Sequence, residues 1–177
     1  MRTFDAVVSR AAEFESVVPP AYEDNNGHLT STRYAELHDR ATDALFRRLG
    51  YPRADAQDGV FNIQSATRHL NEVLVGHRVS GHVVLMDFDG RFFHVSGHLV
   101  NHSTSTLATS FEVLLGNVGL QSRRLRGAPD DIAQRARAEL AATASVGWEA
   151  LDLPPIRIHR SGPGTRAQGA PPPSAHS

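Results

Sequence analysis

The stretch Val17-Val18-Pro19-Pro20-Ala21-Tyr22-Glu23-Asp24-Asn25-Asn26-Gly27-His28-Leu29, running on into Thr30–Leu49, decides how the rest of the chain is read. Glu13–Val18 is a short strand, and the two prolines end it because proline has no N–H to give to a ladder. A polar turn follows. From there Tyr34, Leu37, Ala41, Ala44, Leu45 and Leu49 recur at i, i+3, i+4 and i+7, the pattern of a helix that buries one stripe. Glu36, Arg40, Asp43 and Arg47 lie on its opposite side. Thr30 or Ser31 is placed to cap the helix start, and Gly50 to end it. Ala41 and Ala44 keep the stripe shallow at mid-helix, so another element is expected to come close there. A turn carboxylate followed at once by a helix start sets an acid/base group beside free backbone N–H donors.

Outward from this stretch, the Pro/Asp/Gly-containing loop Tyr51–Gly59 leads into a β-like region reaching about Leu115. Val60–His69 reads as one strand. Arg78–Asp87 and Arg91–Asn101 read as a hairpin, because Asp89-Gly90 between alternating runs is a strong turn signal. A two-residue turn there sets Leu85 opposite His94. Val84, Met86, Phe93, Val95 and Leu99 would then cover the helix. His77, Val79, Val83, Leu85, His94, Ser96, His98 and His102 would form a half-exposed face. In Leu107–Leu115 the residues Leu107, Thr109, Phe111, Val113 and Leu115 share a side. Asp130–Ala142 is a second helix with two aspartates in its first turn. Toward the other terminus, residues 1–12 hold an apolar lead that fits either a helix turn or an edge strand. Residues 13–145 form one domain and 146–177 an extension, with a Pro/Gly-rich tail expected to be disordered from about residue 154. One long helix beside one antiparallel sheet is an α+β arrangement.

Composition narrows the function classes. The 177 residues carry a formal net charge of −1, which argues against a general nucleic-acid binder. No apolar run approaches a membrane span, and no signal-peptide core is present. The chain has no Cys, which removes disulfides, thiolate nucleophiles and cysteine zinc sites. A cytoplasmic location is the expectation. Of the ten His residues, His94, His98 and His102 share one strand face, but neighbours four apart stand about 13 Å from one another along a strand. That is too far for one metal ion, and neither a metal nor a cofactor is expected.

The run Asp24-Asn25-Asn26-Gly27-His28-Leu29, with Tyr34 in the following helix, resembles the Asp-x-x-Gly-His-(Met/Leu)-Asn motif of the 4-hydroxybenzoyl-CoA-thioesterase-like branch of the hotdog superfamily. The likeness extends through Arg40–Leu45, Glu72–Gly76 and Ala108–Leu115, and within that branch it is to the betainyl-CoA and carnitine-pathway thioesterases. It implies a hotdog fold, a sheet wrapped round a central helix, assembled as a homodimer or homotetramer with an acyl-CoA substrate at the subunit interface. It also implies that Asp24 attacks the thioester or activates water, while the backbone N–H of Ser31 holds the carbonyl oxygen. Thr30 departs from the motif, where Asn is usual. Gln64 stands where the betainyl type has a glutamate, and His69 where it has an aromatic residue, which bears on acyl selection.

The residues support the same chemistry. Thioester hydrolysis needs a nucleophile or base together with oxyanion donors, and without Cys or a Gly-x-Ser-x-Gly elbow a triad is poorly supported. The alternative for Asp24 is a turn-forming aspartate bonded to nearby N–H groups. Asn25 and Asn26 are turn residues that could also meet the acyl group. Gly27 serves a backbone requirement, and His28 touches substrate or braces the loop. Tyr34 is a core residue with a polar tip that could meet substrate. Arg123, Arg124 and Arg126 form a basic loop cluster that is either simply solvated or, with Arg123 and Arg124 in particular, placed to meet CoA phosphates, since guanidinium groups bind phosphate bidentately. Two other readings compete: a hydratase or dehydratase using His28 or His69 with Glu72, and a non-catalytic acyl-ligand binder.

Overall fold

The long helix forms where the stripe requires it. In the computed structural model, which describes residues 4–52 and 57–144, α2 spans Ser31–Leu49 and buries Tyr34, Leu37, Ala41, Leu45 and Leu49. Phe46, absent from the expected stripe, is buried with them. Gly50 ends the helix in the left-handed region, φ 102°, a conformation that costs a residue with a Cβ roughly 1–2 kcal/mol.

Around it lie α1 (Phe4–Val8), β1 (Phe14–Val17), a 3-10 turn (Pro20–Tyr22), β2 (Asp58–His69), β3 (Arg78–Phe88), β4 (Phe92–Asn101), β5 (Thr106–Gly119), β6 (Arg124–Leu125) and α3 (Asp130–Thr143). The open choice for the N-terminal lead is thus settled as a helix turn. The expected C-terminal extension, 146–177, lies outside the described residues. The strands form one antiparallel sheet in the order β1-β3-β4-β5-β2, with β6 paired to the end of β5. The sheet curls over α2. At mid-helix the approach is as close as the alanines allow: a Cβ on Gly81 of β3 would stand 2.9 Å from the Ala41 Cβ.

The hairpin forms, with Phe93, Val95 and Leu99 of β4 against the helix as expected but with the two faces of β3 exchanged. The Asp89 side chain accepts the N–H groups of Arg91 and Phe92, at 2.9 and 2.8 Å, so the connection is longer than two residues and Phe88 opposes Phe93. A bulge between Leu85 and Asp87 then sets Leu85 opposite Val95 rather than His94. A slip of one residue moves every side chain to the other face. Val79, Val83 and Leu85 therefore join Phe93, Val95, Leu99, Phe111, Val113 and Leu115 against the helix. Val84 and Met86 lie on the outer side with Val7 and Val100. A second bulge, between Leu99 and Val100 in the β4–β5 ladder, sends Leu107 to that outer cluster as well.

The histidine face also differs from expectation: His82, His94 and His98 are buried. Buried polar groups need partners, which a neighbouring strand supplies for His94 and His98 and the same strand for His82. His94 Nε2 lies 3.1 Å from Glu112 Oε2, and His98 Nδ1 lies 2.8 Å from Ser110 Oγ. Ser80 Oγ sits between His82 Nε2 and His102 Nε2, at 2.9 and 2.8 Å.

Candidate active site

The Asp24 loop is closed on itself. The Asp24 N–H donates to the His28 carbonyl at 2.8 Å, and the Gly27 N–H to the Asp24 carbonyl at 3.2 Å. Gly27 adopts φ 81°, the backbone requirement expected of it. Oδ1 of Asp24 accepts from the N–H groups of Asn26 (2.8 Å) and His28 (3.0 Å), so the turn-forming role is real. Those two bonds, His28 first, hold the carboxyl below its ordinary pKa and keep it ionised. The Asn26 side chain adds a weaker favourable contact to the carboxylate.

The start of α2 stands next along the chain. The Thr30 N–H donates to Tyr22, and the Arg33 N–H returns to Thr30, both at 2.9 Å. Thr30 gives no side-chain cap. The N–H groups of Ser31 and Thr32 consequently have no partner among the described residues, although helix N-termini are commonly capped. Below them, Tyr22 and Arg33 both bond Glu36, pinning the 3-10 turn to the first turns of α2.

The wall facing the loop comes from the segment between β2 and β3. The Leu29 N–H donates to Val73 at 2.8 Å, and His28 bridges to Leu74. His28 Nε2 meets Glu72 Oε2 at 2.8 Å, which braces the ring. Tyr34 is buried edge-on to His69, with ring centroids 4.7 Å apart. Burial raises its hydroxyl pKa, a hydrogen bond from Val73 opposes this, and the charges of Glu72 and Asp24 add to the rise. Tyr34, Glu72 and Asp24 therefore share one locale.

Beside it, a cleft of about 120 Å³ runs between α2 and β2, lined by Ala35, His38, Asp39, Ser65, Thr67 and Phe111 among others. None of these was singled out from the sequence as a site residue. The helical residues were hidden because an aspartate on a helix surface looks like an ordinary solvated charge. Their signal was a like-charged Asp39/Asp43 pair at i, i+4, a spacing that costs helix stability.

The other predicted residues are distributed unequally. Asn25, Asn26 and Ser31 are exposed at the loop and helix start, and His69 is exposed beside Tyr34. Gln64 is exposed on β2 opposite Leu114, on the sheet face away from the cleft. Arg123 and Arg124 are exposed near the β5–β6 pairing, where Arg124 opposes Gly119, whereas His69 opposes Thr109. Ten residues of strand separate those points, roughly 34 Å. Within one protomer the arginines and Asp24 do not meet. Among the described residues no group of three or more His, Asp or Glu is arranged to hold a metal ion, and no helix is long and apolar enough to cross a membrane.

A sheet curled over one long helix, with a carboxylate turn at that helix's uncapped end, defines the hotdog class. The chain belongs to the Thioesterase-like superfamily, whose profile matches residues 18–136. It is 31% identical over 156 residues to the betainyl-CoA thioesterase of Pseudomonas aeruginosa, covering 81% of this chain and 96% of that protein. It is 32% identical over 104 residues to the L-carnitine dehydrogenase/betainyl-CoA thioesterase of Agrobacterium fabrum, covering 57% of this chain. The match spans only 21% of that larger protein. A Staphylococcus aureus hypothetical protein solved in complex with CoA superposes with a TM-score of 0.64 at 18% identity, over 72% of this chain and 82% of that one.

Proposed function

We propose that this chain is an acyl-CoA thioesterase, hydrolysing a CoA thioester to the free acid and CoA. The observation that carries the reading is the ionised turn carboxylate seven residues before a helix start whose Ser31 and Thr32 N–H groups have no partner among the described residues. In the reaction the thioester oxygen accepts from the Ser31 and Thr32 N–H groups, whose fixed dipoles favour the developing negative charge. Asp24 either attacks the carbonyl carbon, giving an anhydride that water opens, or takes a proton from the water that attacks. In both routes the C–S bond breaks, CoA leaves as thiolate and takes up a proton, and the acyl carbon gains a water-derived oxygen across the cycle. The name of the P. aeruginosa relative makes a cationic acyl-CoA the first substrate class to assay.

Assembly as a homodimer completes this picture. Among the described elements β2 pairs only with β5, and its Phe61 and Ile63 are 41% and 50% exposed. An unpaired edge of this length with apolar side chains is a pairing surface. Two-fold antiparallel pairing of two β2 edges would set the Asp58 end of one copy against the His69 end of the other. Arg123 and Arg124 of one copy would thereby approach the other's Asp24 loop, in reach of the CoA phosphates.

The test is release of free CoA from a panel of small, cationic, long-chain and aromatic acyl-CoAs, with Asp24→Asn alongside. Asn keeps the Oδ1 acceptor and so the loop, but loses the charge. Turnover is expected to fall about a thousandfold or more with an unchanged melting temperature. Full activity in this variant would remove Asp24 from the mechanism. The His28–Glu72 pair is the one observation that favours a hydratase instead, and water addition to an enoyl-CoA without CoA release would decide for it. Saturable acyl-CoA binding without turnover would decide for a binding protein.

A further inference from the structure

The wall that receives the Asp24 loop is Glu72–Leu74. The Val73 carbonyl takes the Leu29 N–H at 2.8 Å, Leu74 bridges to His28, and the Glu72 carboxylate meets the His28 ring at 2.8 Å. His28 in turn gives its backbone N–H to Asp24 Oδ1, at 3.0 Å. The place of the Asp24 carboxylate is therefore handed on from the wall. Yet the wall belongs to no strand, and Gly76 turns the chain just beyond it at φ 81°. Something outside it has to hold it.

Two side chains do so. Asn101, at the end of β4, is fully buried. Its orientation follows from its neighbours, because an amide has one donor end and one acceptor end. The Ser103 N–H can only donate, and it lies 3.0 Å from Oδ1. The Glu72 carbonyl can only accept, and it lies 3.3 Å from Nδ2. Nδ2 is thus also the donor in its contact of 2.9 Å with His77 Nδ1. The Leu74 N–H points at the same ring nitrogen, from 3.3 Å. Two donors converge on Nδ1, so that nitrogen keeps its lone pair and the ring hydrogen sits on Nε2.

We propose that His77, in this tautomer, is a positioning residue for the hydrolysis. With Asn101 it fixes the Glu72 carbonyl and the Leu74 N–H, and the wall between them then sets His28, Leu29 and the Asp24 carboxylate. This rests on the thioesterase reading, but it assigns a half-buried residue that lies outside the reacting groups. What His77 supplies is an acceptor. Without one, the Leu74 N–H and the Asn101 amide lose a shared partner, and the wall loses its anchor to β4.

The experiment compares His77→Gln, whose side-chain carbonyl can accept in place of Nδ1, with His77→Leu, which cannot accept at all. Each is measured for CoA release, for KM and for melting temperature. In His77→Leu, kcat is expected to fall about tenfold or more while KM changes by about twofold or less, and His77→Gln should stay within about threefold of the wild type in kcat. A lower melting temperature in His77→Leu with kcat kept would reduce the residue to a structural one and overturn the proposal. Equal kcat losses in the two variants would overturn it as well, by assigning the site to ring shape. Nitrogen-15 NMR of the histidine-labelled protein reads the tautomer, expected with hydrogen on Nε2; hydrogen on Nδ1 would sink the brace. Amide hydrogen exchange at Leu29 separates this proposal from its parent. Exchange that quickens in His77→Leu but not in His77→Gln, in a protein that releases no CoA, would sink the hydrolase and keep the brace. Equal exchange in all three forms, with CoA released by the wild type, would do the reverse.

Discussion

At its C-terminal end α2 closes on Gly50, whose N–H reaches the carbonyls of Arg47 and Phe46, while Arg135 Nε donates to the Leu49 carbonyl at 2.8 Å. Arg47 and Arg48 add positive charge where the helix dipole favours it. At the N-terminal end Thr30 offers no side-chain cap, and two N–H groups have no partner among the described residues. The same nineteen-residue helix is thus finished for stability at one end and left open at the other. An uncapped start forgoes about 0.5–2 kcal/mol, which marks it as a place where something other than stability is served.

The contrast breaks most strongly at the closed end. Gly50→Ala forces a Cβ into the left-handed region, 2.6 Å from Arg135 Nη2 and 3.0 Å from Ile132 Cδ1. Its expected cost is about 2 kcal/mol in urea unfolding, with kcat unchanged because the open end is about 28 Å away along the helix. A fall in kcat as large as the stability loss implies would show the two ends to be coupled.

Mid-helix, His38 gives a pH signature. Its folded pKa is about 3 against an ordinary 6.5, so the unfolded chain takes up the proton first. Its contribution is fully present above the unfolded value and is lost as pH falls from about 6.5 toward 3, at up to about 1.4 kcal/mol per pH unit. Urea midpoints at pH 7 and pH 5 should therefore diverge in the wild type and diverge less in His38→Gln, where His82, lowered by its own burial, remains. An equal slope in the variant would assign the effect to another group.

The smallest expected effect sharpens the comparison most. Thr30→Asp supplies the missing cap and should stabilise the fold by about 0.5–1 kcal/mol. Its carboxylate would occupy the N–H groups proposed for the oxyanion, so CoA release should fall about tenfold or more. Stabilisation with activity intact would mean that those donors are not used.

The sequence made α2 legible almost to the residue, because a buried stripe and a glycine stop each have a single physical meaning. The close approach at Ala41 was legible too, and Gly81 meets it. The Asp24 loop was readable because an aspartate three residues before a glycine has few other conformational uses. The faces of β3 were not, although those of β4 were: a bulge adds one residue without any mark in composition, and Met86 looks like any strand residue. The buried histidines were missed for that reason and because their partners, Ser110 and Glu112, lie on a different strand. His38 and Asp39 were invisible as pocket residues, since a cleft is a property of two elements and only one was being read. Arg123 and Arg124 could not be placed, because distance between loops at opposite sheet ends is not written in either loop.

The bulge at Met86 carries a consequence for how relatives should be aligned. Deleting that one residue would shorten the chain almost imperceptibly, yet it would turn either the tip or the body of β3 inside out, in the latter case sending Val79 and Val83 to the outer face and His82 against α2. Length changes in homologues should therefore gather at the Asp89–Arg91 tip or arrive in pairs along the hairpin. A family alignment that opens a single-residue gap within Val79–Leu85 has misplaced it.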